Sequence, residues 1–141
     1  MKTYSLVTIL LIISWIGSLA CNVTIYISNI RDSRGILLVC VFRDSAEFVM
    51  DTPFRVEKID KPVKNNKVVV DLSLEEGIYG IVVHDDENAN GIMDYNIAGI
   101  PKEGFGFSDY YLYGFKKPCF SDFSFNLNKS KAVEVKMRYV L

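Results

Sequence analysis

Apolar and polar residues alternate along much of this chain, and the period is two. Val23, Ile25 and Ile27 alternate with Thr24, Tyr26 and Ser28, the mark of a half-buried strand. Val133, Val135, Met137 and Tyr139 do the same against Glu134, Lys136 and Arg138 near the C-terminus, a strand with one dry and one wet face. Ile36 to Phe42 is apolar on both faces, which predicts a central strand covered on two sides. Lys67 to Leu72 and Ile78 to Val83 are further strands, the second entered through the turn Glu75-Glu76-Gly77. Between residues 45 and 64 the periodicity is weak, and Pro53 and Pro62 interrupt it. There Phe48, Val49, Phe54 and Val56 are expected to plug one end of the core, with a short helical turn among them. Strands of this length, separated by Gly/Asp/Asn turns and lacking a long helical period, predict an all-β fold, an antiparallel β-sandwich of about seven strands.

Residues 85–117 carry no such period, and loops that long are uncommon unless something orders them. Asp86, Asn88, Asn90 and Asp94 place oxygen-bearing side chains at alternating positions, and Gly91 stands where the chain must turn sharply. A hard cation such as Ca²⁺ takes six to eight oxygens from a compact loop of this kind. The Ile92 carbonyl and the Asp94 carboxylate would close the shell, as in the first half of an EF-hand loop. The twelfth position is Ile97, which has no carboxylate, so a bidentate ligand would come from Glu103 or Asp85. The same residue types also close Asx turns on their own backbone, without a metal.

The first twenty residues have the build of an export leader. Lys2 is followed by an apolar run from Leu6 to Ile16, then by Gly17-Ser18-Leu19-Ala20 before a cut. That apolar run is short for a membrane-spanning helix. The expected organisation is a signal peptide over 1–20 and one sandwich domain over 21–141, secreted or held in the periplasm or cell envelope. Of 16 cations and 17 acids, the leader removes only Lys2, so 15 and 17 remain and the mature formal charge is −2. This balance argues against nucleic acid, which calls for clustered cations. Cys21 would become the mature N-terminus, which leaves a lipid anchor open, although Ser18 stands where a lipobox has Leu. Export also permits a Cys40–Cys119 bridge, alongside the simpler reading of Cys40 as a small buried hydrophobe.

The chemistry of catalysis is not evident. His84 is the only histidine, Ser108 lies in no nucleophile-elbow pattern, and zinc would want His and Cys ligands that do not cluster here. The expectation is therefore a module rather than an enzyme, with a hydrolase the least favoured alternative. Most of the aromatic residues from Phe105 to Phe125 should cover the core beneath the long loop. The alternative is a carbohydrate- or peptide-binding platform built on Tyr110, Tyr111 and Tyr113, with a glycan or an envelope protein as partner.

The run from His84 to Gly91, then Asp94, then Gly99 to Ser108, resembles the signature of an exported bacterial family, domain-of-unknown-function family 2141. Gly77-Ile78-Tyr79 is similar to its Gly-x-Tyr strand entry and Pro118-Cys119-Phe120 to its Pro-x-Phe element. Ala89 departs by standing where Gly is usual, Phe105 where Tyr is common, and Cys119 where a small polar residue is common. The resemblance implies a transthyretin-like or immunoglobulin-like sandwich and no assigned activity. The loop is also similar to the calcium loops of bacterial adhesin B-type repeats.

Overall fold

The computed structural model describes residues 20–61 and 66–141. The segment 1–20, expected to be a leader, lies outside the described residues except for Ala20. Eight strands and two short helices follow in order: β1 (Cys21–Ser28), β2 (Ile36–Phe42), α1 (Ser45–Val49), β3 (Arg55–Asp60), β4 (Lys67–Leu74), β5 (Gly77–Asp86), β6 (Gly104–Phe107), α2 (Phe120–Phe123), β7 (Ser124–Leu127) and β8 (Lys131–Lys136). Among the described residues no helix is long and apolar enough to cross a membrane.

The strands form two sheets. One has the order β4-β1-β8, the other β3-β2-β5-β6, with β7 also paired to β5. Neighbouring strands run antiparallel except β1 and β8, which are parallel, with Ile25 opposite Val133. That one pair departs from the expected all-antiparallel arrangement. The period-2 pattern explains which side chains face inward. Val23, Ile25, Ile27, Val133, Val135 and Met137 are buried from the first sheet and meet Leu37, Val39, Val41, Ile81 and Val83 from the second. β2 and β5 are apolar in succession because they are central strands, covered on two faces.

A second cluster of buried rings lies on the outer face of the larger sheet. Phe42, Phe48, Phe107 and Phe123 form it, with Phe105, Tyr110, Leu112 and Phe120 packed around them. Of the four residues expected to plug one end of the core, Phe48 is buried but in this outer cluster, and Val49, Phe54 and Val56 are exposed. The reason is β3: an edge strand following α1, it lays Val56 on the outside, and it was hidden from the hydropathy pattern by Arg55, Glu57 and Lys58.

β6 and β7 lie end to end along one edge of β5, pairing with residues 82–85 and 77–80 respectively. Ser108 fills the gap between them. Its backbone N–H donates to Ile81 O at 2.9 Å, its Oγ accepts the Ile81 N–H at 2.9 Å, and the hydroxyl donates to Phe123 O at 2.7 Å. The free edge of β6 then joins the chain leaving β8, through paired bonds between Phe105 and Arg138. That join explains Gly104 and Gly106. A Cβ at Gly104 would lie 2.3 Å from the Tyr139 ring, and one at Gly106 would lie 2.6 Å from Val135 Cγ1. The glycines let the two sheets close on each other.

Cys40 and Cys119 are free thiols, so the bridge considered between them is not formed. Burial pushes the Cys40 thiol up to about 11, which leaves it protonated and inert at neutral pH.

Candidate functional site

The long excursion between β5 and β6 is ordered by its own side chains. β5 delivers Asp86, fully buried, at its last position. One Asp86 carboxylate oxygen accepts the Asn90 N–H at 3.0 Å and the other accepts the Gly91 N–H at 2.8 Å. Asn88 Oδ1 accepts the Asn90 N–H at 3.0 Å, and Asn90 Oδ1 accepts the Ile92 N–H at 2.9 Å, two successive Asx turns. The coil needs left-handed backbone at Ala89, with φ 57°, and at Gly91, with φ 82°. The side-chain amides of Asn88 and Asn90 then meet on one atom, donating to Asp94 Oδ2 at 2.6 and 3.1 Å. Of the expected cation ligands, Asn88, Asn90 and Asp94 are therefore brought together directly, and Asp86 is joined to them through Asn90. The Ile92 side chain is exposed. Beyond the coil, Asn96 turns the chain again, with Oδ1 accepting from Ala98 and Ile100, so that Ile97 stands fully exposed at a tip.

Glu103, which sequence reasoning offered as the bidentate ligand, is an anchor in this geometry. Its Oε1 accepts the Glu87 N–H at 3.1 Å, and its Oε2 accepts the Asp94 N–H at 3.2 Å and lies 2.8 Å from His84 Nε2. One buried carboxylate thus ties both ends of the coil to β5. Asp85, the other option, faces away from the coil. It is fully buried in an ion pair with Lys61 and accepts the Tyr139 hydroxyl at 2.6 Å. Burial, reinforced by that bond to Asp85, holds the Tyr139 phenol well above its ordinary pKa.

An outer ring of charge covers this end of the sandwich. Arg31 bonds Glu87 with Nε at 3.0 Å and Nη2 at 2.6 Å. Arg34 clasps Asp32 at 2.7 Å, and this guanidinium holds the Asp32 carboxyl below the usual carboxylate range. An open cleft of about 290 Å³ remains beside the coil, lined by Arg34, Glu87, Asn88, Asp94, Lys102 and Glu103. Sequence reasoning missed Lys61, Tyr139 and Arg31, because their partners lie far along the chain and no local spacing marks them, and it read the Asp32–Arg34 segment as a turn cluster without its ion pair. Among the described residues no three His, Cys, Asp or Glu side chains group as a metal site, so any cation here would rest on amide and backbone oxygens as much as on carboxylates.

The aromatic segment divides. Phe107 is buried, Tyr110 and Tyr111 are half-buried, and Tyr113 is exposed. Thus two of the three rings considered for a binding platform are partly packed away.

The coil, its Glu103 anchor and both sheets fall inside one family match. Residues 25–136 match the family described as "Uncharacterized protein conserved in bacteria (DUF2141)". The chain belongs to the DUF2141 family. The matched span runs from within β1 to the end of β8, so the excursion between β5 and β6 belongs to this DUF2141 domain rather than to an appendage. No curated protein and no solved structure matches the chain.

Proposed function

We propose that this DUF2141 protein is an exported cell-envelope module, structural or binding in role, whose excursion at residues 84–103 is braced by Ca²⁺. The observation that carries the reading is the convergence of Asn88 and Asn90 on Asp94 Oδ2. Rotating each amide by half a turn would present Oδ1 where Nδ2 now stands and set two hard ligands beside a carboxylate, in exchange for the two Asx bonds from the Asn90 and Ile92 N–H groups. Asp86 and the Ile92 carbonyl are the further oxygens available to such an ion, and water would complete its shell. The donor set is all oxygen, which suits Ca²⁺ and not zinc. Bound there, the ion would neutralise the two aspartates and fasten a coil now held by amide bonds. Glu103 would act from behind, by fixing the Asp94 and Glu87 backbone.

A leader with the build described above supports export. β1 begins at Cys21 itself, whose side chain is buried in the core, so cleavage without lipidation fits better than a lipid on that sulfur. Two features support a non-catalytic role. His84 is buried against Glu103, and the Ser108 hydroxyl is consumed in joining β5 to α2. Calcium titration into the protein by calorimetry tests the brace. The expected outcome is saturable binding with Kd of roughly 10⁻⁴ to 10⁻³ M, as in extracellular calcium modules, and its loss in Asp94→Ala. Absence of a binding heat in the folded wild-type protein would overturn it.

A further inference from the structure

We infer that the loop at residues 111–117 docks this protein onto an anionic lipid surface. Tyr113 is 85% exposed and Phe115 77%, yet the loop is held firmly. The Arg138 guanidinium donates to the carbonyls of both Leu112 and Gly114. The same group lies 5.5 Å from the Phe115 ring centroid, and the Lys136 ammonium lies 5.2 Å from that of Tyr111. Tyr111 in turn packs edge-on against Tyr113 at 4.8 Å. Cations on the strand beneath thus prop two rings outward, and the exposed Lys116 adds a further charge beside them. Lys117 turns inward, its ammonium on the Phe48 carbonyl at 3.3 Å.

Residues 111–118 contain no carboxylate. The acids flanking them in sequence accept backbone N–H groups: Asp109 takes that of Glu134, and Asp122 that of Cys119. Those acids, and Glu134 on the outer face of β8, keep their charge, but the loop itself presents rings with Lys116, Lys136 and Arg138 beside them. Neighbouring Phe107 and Phe123 show that rings in this region can be buried, so the exposure of Tyr113 and Phe115 is not forced by a lack of core.

Amphipathic rings sit at the headgroup level of a bilayer, and each Lys or Arg near an anionic leaflet strengthens binding by roughly fivefold. The patch supplies both. A sugar platform would need hydrogen-bonding side chains beside a flat ring. Segment 111–117 has no Asp, Glu, Asn or Gln, and the Tyr111 and Tyr113 planes stand 67° apart. Two further exposed apolar spots, Ile92, Tyr95 and Ile97 beside Asp94, and Val49 and Met50 beside Asp51, each carry an acid that the same surface would repel.

The calcium reading shares no residue with this one, so the test is run with chelator present. The protein secreted by an exporting host, its N-terminus defined by intact mass, is sedimented with vesicles of phosphatidylcholine alone or mixed with phosphatidylglycerol in roughly equal parts. Binding is expected only with phosphatidylglycerol and should weaken as salt is raised. Phe115→Ala and Lys116→Glu should each reduce it by about fivefold or more with an unchanged melting temperature. Equal binding to both vesicles, or variants that bind as the wild type does, would overturn the inference. So would retention on insoluble polysaccharide by a protein that ignores phosphatidylglycerol.

Discussion

Ala89 occupies a left-handed turn, with φ 57°, the one of the coil's two left-handed steps that carries a Cβ. An L-residue there is strained by about 1–2 kcal/mol, part of which glycine returns through the greater freedom of its unfolded chain. Ala89→Gly is therefore expected to stabilise the protein by about 0.5–1 kcal/mol, seen as a rise in urea midpoint at constant slope. An unchanged or lowered midpoint would show that the coil is not built this way. The alternation of Asp and Asn made this turn legible, because Asx side chains signal their own hydrogen bonds to nearby backbone. Glu103 was legible as a participant but not in its role. Only the folded register of β6 on β5 brings its carboxylate to His84 and to the Glu87 and Asp94 amides. Nothing in the local sequence distinguishes a ligand from an anchor.

At the scale of elements, β1, β2, β4, β5 and β8 could be read from hydropathy because each presents at least three inward side chains. β6 and β7 could not, being four residues each; in β6 the glycines at alternate positions erase the contrast on which the period-2 signal depends. The parallel pairing of β1 with β8 was also beyond the pattern, since period two is the same in either direction. Ser108 is the hinge of this arrangement, standing in for a strand where β6 has ended and β7 has not begun. Ser108→Ala removes the acceptor for the Ile81 N–H and the donor to Phe123 O, both inside the fold. Loss of stability of about 1–3 kcal/mol is expected in a denaturant melt, more than a surface serine would cost. A change within a few tenths of a kcal/mol would remove Ser108 from the joint between β5 and α2.

Across the whole molecule, the charged end of the sandwich is stitched by long-range pairs. Lys61 and Asp85 meet inside, and Tyr139 links the C-terminal chain to both Asp85 and the Arg31 backbone N–H, the latter at 2.9 Å. The Tyr139 phenol is raised above its ordinary value, so the folded protein keeps that proton where the unfolded chain has lost it. Its contribution is complete below pH about 10 and declines as pH rises from there toward the folded value. Urea midpoints should fall above pH about 10 in the wild type, and less steeply in Tyr139→Phe, which starts from a lower midpoint at pH 7 because it lacks the bond to Asp85. Parallel pH curves for the two proteins would contradict this. None of these partners could be paired from the sequence, because burial of a charge is decided by the register of distant strands.

Thermal unfolding of the purified protein in chelator and in excess calcium tests the brace most directly. With calcium at tenfold its Kd, the folded state should gain about 1.4 kcal/mol, a rise of roughly 4–7 °C, and Asp94→Ala should not respond. Superimposed melting curves in chelator and in calcium would contradict the account and leave the coil at residues 86–94 closed by its amides alone.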